Sequence, residues 1–137
     1  MADTVRRIEY YYVRVPDEPG TAARTLGPLK ASGVNLLAYQ AFPIGDRQSQ
    51  LDLVPENPAA LREAAGKAGI PLSEAKTAFL VQGDDRVGAA VDTVSKLAEA
   101  KINITATMAT AAGAGRYGLV LWVAPADYEA AAKALGV

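Results

Sequence analysis

Two acidic pairs stand at corresponding joints of the chain: Asp17-Glu18 within VPDEPG (residues 15–20) and Asp84-Asp85 within GDDRVG (residues 83–88). Adjacent carboxylates are raw material for general acid–base chemistry or for a hard cation. Both pairs sit on exposed turns, where neighbouring carboxylates are solvated, and the flanking residues supply no second shell. Composition narrows the chemistry further. The 137 residues include no Cys and no His, which removes thiolate nucleophiles, Ser-His-Asp triads, imidazole bases and the commonest transition-metal ligands. The glycines of residues 113–118 lack a following helix, so a phosphate cradle is not expected there. The chain is therefore expected to have no catalytic residue, no metal site and no cofactor.

Both joints belong to a larger repeat. Shifting the sequence by 68 positions lays residues 11–38 over residues 79–106 with eight identical pairs, among them Asp17/Asp85, Gly20/Gly88 and Asn35/Asn103. In each copy Asp and Asn are 18 residues apart. Glu18 drops out as a candidate because its counterpart is Arg86. Each copy follows the order strand, helix, strand, strand, helix. IEYYYVRV and KTAFLVQ have the β-branched and aromatic content of strands. Ala22, Leu26 and Leu29, like Ala90, Val94 and Leu97, recur at helical spacing and predict one apolar stripe facing a sheet. PIGDRQ and AAGAGR predict hairpin connections, and Asn57-Pro58 and Ala124-Pro125 put a proline in the first turn of each last helix. Gly27-Pro28 is expected to kink or shorten the first helix.

This order predicts an α+β fold: two ferredoxin-like βαββαβ repeats, each an antiparallel sheet with helices on one face. The expected division is 1–72 and 73–137. Residues 70–76 are expected as the fourth strand of the first repeat, running on into the second. By the same symmetry residues 3–8 complete the second sheet, so the halves interlock through shared long strands. The first strands are apolar on both faces, and the face without helices, or a sheet edge, is expected to meet a second subunit, giving a homodimer.

The formal net charge of -1 with scattered Lys and Arg leaves no footprint for nucleic acid or for an anionic membrane. The basic, aromatic signature of a single-stranded RNA reader is missing, and only Arg86 could hold an anion for acyl phosphate chemistry. There is no signal-peptide core and no membrane-length apolar run; a cytoplasmic protein is expected.

The stretch VPDEPGTAARTLGPLKASGVNLLA, with Asp-x-Pro-Gly after a strand and Gly-Val-Asn opening the next, resembles the ACT domains. These are small ferredoxin-like modules that regulate enzymes of amino-acid metabolism, and the resemblance is to a tandem protein of such domains covering nearly the whole chain. It implies a non-enzymatic, allosteric regulator. Such a protein binds an amino acid or related small acid at the interface of its repeats and modulates a partner, with a metabolic enzyme as that partner. The implied ligand-binding residues are Asp17, Pro19, Gly20, Thr21 and Asn35, with Asp85, Gly88 and Asn103 in the second copy. The helix start around Gly20 suits a ligand carboxylate, Asp17 an ammonium, and Asn35 closes the site. The second copy departs from the pattern at Arg86-Val87 and Lys101-Ile102, which favours the first loop. The competing expectation is a ligand-free interaction module that recruits a metabolic enzyme, with Asp17 and Gly20 as helix-cap and turn residues and both Asn residues satisfying neighbouring loops.

Overall fold

The computed structural model describes residues 3–137. Its elements are β1 (Thr4–Pro16), α1 (Thr21–Ala31), β2 (Leu36–Gly45), β3 (Gln48–Pro55), α2 (Pro58–Ala68), β4 (Lys76–Asp84), α3 (Ala89–Glu99), β5 (Ile104–Gly113), β6 (Arg116–Val123), a 3-10 turn at Pro125–Asp127 and α4 (Tyr128–Leu135). The architecture is α+β, with six strands hydrogen-bonded in the order β2-β3-β1-β4-β6-β5 and four helices. The chain divides into two compact units. One is Glu9–Lys76; the other takes residues up to Ile8 together with Thr77–Val137. The 13-residue β1 therefore gives an end to each.

In the Glu9–Lys76 unit, β1 pairs antiparallel with β3 from Tyr11↔Leu53 to Pro16↔Gln48, and β3 pairs antiparallel with β2. Alternation sends Tyr11, Val13, Leu51 and Leu53 to one face, where Leu29 of α1 and Leu61 of α2 complete the core. The other unit repeats the plan, with Phe79, Val81, Leu119 and Leu121 packed under Leu97 of α3 and Ala131 of α4, and with Val5 of β1 against the same core. Both hairpins turn tightly through two residues of positive φ, Asp46 and Arg47 in one and Ala114 and Gly115 in the other. Such turns match the twist of the flanking strands. Asn57 caps α2 by accepting from the Ala60 N–H at 3.2 Å, with Pro58 next.

Several sequence expectations need correction. Pro28 does not shorten α1: the helix continues to Ala31, because Leu29, 2% exposed, anchors the last turn in the core. Pro125 opens a separate 3-10 turn and not α4 itself. Residues 70–75 are not a strand. Pro71 has no N–H to pair, and the segment is tied to β1 at Ser73, whose N–H donates to the Tyr12 carbonyl at 2.8 Å while its hydroxyl accepts the Tyr12 N–H at 2.9 Å. Val54 in one unit, and Ala78, Leu80, Val120 and Trp122 in the other, lie on strand faces turned away from the helices and are buried.

Candidate functional site

In the first copy the loop between β1 and α1 is held by the β2–β3 hairpin. The Asp17 N–H donates to the Arg47 carbonyl at 2.8 Å, and the Asp17 Oδ1 accepts from the Ser49 hydroxyl at 2.9 Å. The carboxylate is thus oriented by the hairpin and does not cap the helix. Pro19 lies exposed on the same loop. Gly20 is the residue that starts α1, at φ 89, and no side chain caps the helix there. The backbone fixes glycine at this position. Its left-handed conformation disfavours any β-carbon, and one placed there would push aside the Arg24 guanidinium, whose Nη1 lies 2.9 Å from that point. The Arg24 guanidinium is folded back over the helix start, where its Nη2 donates to the Thr21 Oγ1 at 3.1 Å. Thr21 is itself buried, and its carbonyl accepts from the Thr25 hydroxyl at 3.0 Å. The Thr21 N–H turns back to the Glu18 carbonyl at 3.3 Å, and the result is a positive helix terminus without a side-chain cap, a guanidinium above it and an oriented carboxylate beside it. Such a combination offers opposite partners for carboxylate and ammonium.

Asn35 is elsewhere. Its Nδ2 donates to the Glu56 Oε2 at 2.6 Å and its carbonyl accepts the Glu56 N–H at 2.9 Å. Asp17 follows Pro16, which pairs with Gln48, whereas Asn35 precedes Leu36, which pairs with Pro55. The two therefore stand at opposite ends of β3, about 23 Å apart at ~3.3 Å per residue. Within this unit Asn35 does not close a site over Asp17 and Gly20. It joins β2 to the β3–α2 connection and lines a groove of about 410 Å³ with Leu26, Leu29, Lys30, Gly33, Val34 and Leu36.

The second copy has the same layout with different side chains. The Asp85 N–H donates to the Gly115 carbonyl at 2.8 Å, Gly88 starts α3 at φ 74 without a side-chain cap, and exposed Asn103 precedes β5 at the far end of β6. Here a cluster that sequence reasoning missed dominates. Arg86 donates from Nη1 and Nη2 to the two carboxylate oxygens of Asp3, at 3.1 and 3.2 Å, and from Nη2 to the Asp92 Oδ2 at 2.5 Å. The Tyr117 hydroxyl donates to the Asp3 Oδ2 at 2.7 Å. The hydrogen bond from Arg86 holds the Asp3 carboxyl below its ordinary range. The same contact raises Arg86, and burial foremost, then the bond to Asp3, raises Tyr117. Asp3, Arg86, Asp92 and Lys96 border a groove of about 380 Å³ with Thr93 and Leu135.

Arg24, Arg47 and Ser49 were also absent from the sequence-based set. The signal that pointed to Arg24 was available: Glu18 and Arg24 exchange signs with Arg86 and Asp92 at the 68-residue spacing. Among the described residues, no group of three or more His, Cys, Asp and Glu is gathered as a metal ion would require.

No protein-family model matches this sequence, and no curated protein matches it either. Solved structures do match in fold. Protein BT0572 from Bacteroides thetaiotaomicron superposes with a TM-score of 0.78 at 13% identity, over 97% of this chain and 91% of that one. The regulatory subunit of aspartate kinase from Thermus thermophilus, in its ligand-free form, gives 0.63 at 21% identity, over 98% and 94%. The corresponding subunit from Thermus flavus gives 0.54 at 20%, over 98% and 94%. This chain thus shares its fold with these regulatory subunits of aspartate kinase along nearly the full length of both chains.

Proposed function

We propose that this protein is a non-enzymatic, cytoplasmic regulator built of two ACT-like repeats, approximately 1–72 and 73–137, with residues 3–8 serving the second. It binds an amino acid or related small acid at the first helix start and conveys that state to a partner, a metabolic enzyme. The observation that carries this reading is the uncapped start of α1 at Gly20 with Arg24 folded over it and Asp17 held alongside. The ligand carboxylate meets the helix N–H groups and Arg24; its ammonium meets Asp17; Pro19 and Thr21 shape the loop. Asp85, Gly88 and Asn103 are the formal counterparts in the second repeat. A ligand regulates only if it binds one arrangement of the protein more tightly than another, so the reading requires a conformational response as well as binding.

A thermal-shift screen against the twenty amino acids and common 2-oxo and aryl acids tests it directly. A true ligand at a hundred times its Kd stabilises the folded state by about 2.7 kcal/mol. Arg24→Ala and Asp17→Asn are each expected to weaken binding at least tenfold, about 1.4 kcal/mol. Asn35→Ala is expected to leave affinity unchanged; a comparable loss there would bring the ligand to the far end of β3 and overturn the assignment of the loop.

One observation favours a second reading. The strands at the two edges of the order, β2 and β5, contain no charged residue, although edge strands are ordinarily protected by charge. These edges suit pairing with a second copy or with an enzyme. Absence of any hit across the ligand panel would favour this interaction module.

A further inference from the structure

The two helix starts carry the same pair of positions with opposite signs, and only one pair is closed. Glu18 and Arg24 stand where the second repeat has Arg86 and Asp92. Arg86 reaches Asp92 at 2.5 Å. Arg24 donates to the neutral Thr21 hydroxyl, and among the described residues it joins no ion pair.

A third residue reinforces the difference. Asp3 reaches the second loop through a notch at Gly83: a β-carbon at that position would stand 2.0 Å from the Asp3 Oδ1 and 3.1 Å from the Tyr117 Cε1. The counterpart of Gly83 in the first repeat is Val15, so the notch belongs to the second repeat alone. With the notch open, the Asp3 carboxylate takes both terminal nitrogens of Arg86 and the Tyr117 hydroxyl. Arg86 also gives a hydrogen bond to the Asp84 carbonyl at 3.0 Å. The guanidinium is thereby committed, and the groove beside it, bordered by the acids Asp3 and Asp92 and the bases Arg86 and Lys96, is balanced in charge.

We propose that the second helix start is closed by the chain's own carboxylates, Asp3 and Asp92, which hold the guanidinium an incoming carboxylate needs, so that each chain takes one acidic ligand, at the first start. This rests on the reading of the helix start as a carboxylate receptor. A guanidinium already bound bidentately by one carboxylate and by a second one offers an incoming acid only exchange, not net gain.

Two NMR measurements on the full chain test it. The first needs no ligand: the Arg86 Nε–Hε signal is expected to be restrained and to exchange roughly tenfold more slowly than that of Arg24. In the Asp3→Asn/Asp92→Asn double variant the two become alike, with Asp92→Asn alone showing a partial effect should the double variant fold poorly. Equal mobility of Arg24 and Arg86 in the wild-type protein overturns the closure. The second uses glycine, the smallest molecule bearing both a carboxylate and an ammonium. Its titration is expected to shift the amides of residues 21–24 and not those of residues 85–92, and to shift both sets in the double variant. Wild-type shifts at residues 85–92 overturn the proposal. A restrained Arg86 with no glycine shift at either start in either protein supports the closure but overturns the receptor reading on which the single-ligand conclusion stands.

Discussion

Asp52 shows how a single residue sets a pH response. It lies on β3 directly opposite Tyr12 and Gln40, is 5% exposed, and accepts one hydrogen bond, from the Gln50 Nε2 at 2.9 Å. Burial pushes its carboxyl above the ordinary value, only partly opposed by Gln50. A folded pKa above the unfolded one means that the native state holds the extra proton between the two values, so this group adds stability as pH falls through the folded pKa and subtracts it at neutral pH. Asp52→Asn is therefore expected to raise stability at pH 7, on the order of 1 kcal/mol, with the gain vanishing once the pH drops below the ordinary carboxylate range. Chemical denaturation at both pH values checks the sign. At this scale part of the candidate site was legible in the sequence. Asp17 and Gly20 stood out through their repetition, and Gly20 does start α1 at positive φ. Arg24 did not stand out, because a cation in the first turn of a helix opposes the dipole and passes for an ordinary solvated side chain until its fold-back onto Thr21 is seen.

At the scale of elements, the order strand, helix, strand, strand, helix followed directly from the repeat, and the hairpins fell at the expected turns. The separation of Asn35 from Asp17 within its unit also arises here. Eighteen residues of separation say nothing of direction: a helix that follows a strand carries the chain back along it, so the next strand begins at the opposite end. The loop after β1 and the start of β2 are separated by that return path, whatever their residue types. Residues 70–75 misled for a different reason, since their extended, apolar character satisfied a strand pattern while Pro71 and the hydroxyl of Ser73 replace the ladder with one local tie. Edge strands yield a prediction of their own. On β5, Met108 is exposed within a run of Thr and Ala. If that edge pairs with a second copy, sedimentation at high concentration is expected to show a dimer. Met108→Lys is then expected to raise its dissociation constant about tenfold or more, because two like charges would face each other across the symmetric pair.

For the molecule as a whole, the fold class was legible and the destination of its first residues was an inference from symmetry alone. No periodicity connects Asp3 with Gly83 and Tyr117, because their meeting depends on an absent side chain 80 residues away. A fragment ending at Pro71 loses the Ser73 tie to Tyr12 and leaves residues 4–8 of β1 without the unit that contains them. It is expected to show no cooperative unfolding transition in a thermal melt followed by circular dichroism; a soluble fragment with a sharp transition would show that the repeats do not share β1.

Membership of β1 in two units also fixes a schedule during synthesis. Chains fold from the N-terminus as they are made, and all strands of the Glu9–Lys76 unit exist once Lys76 has emerged. Residues 4–8, although made before the Glu9–Lys76 unit, belong with β4, β5 and β6 and must wait until Val123 is out. Until then Val5 has no core to enter. A segment translated ahead of the Glu9–Lys76 unit is thus buried after it, and the slowest step of folding is expected to be the long-range closure that brings it home.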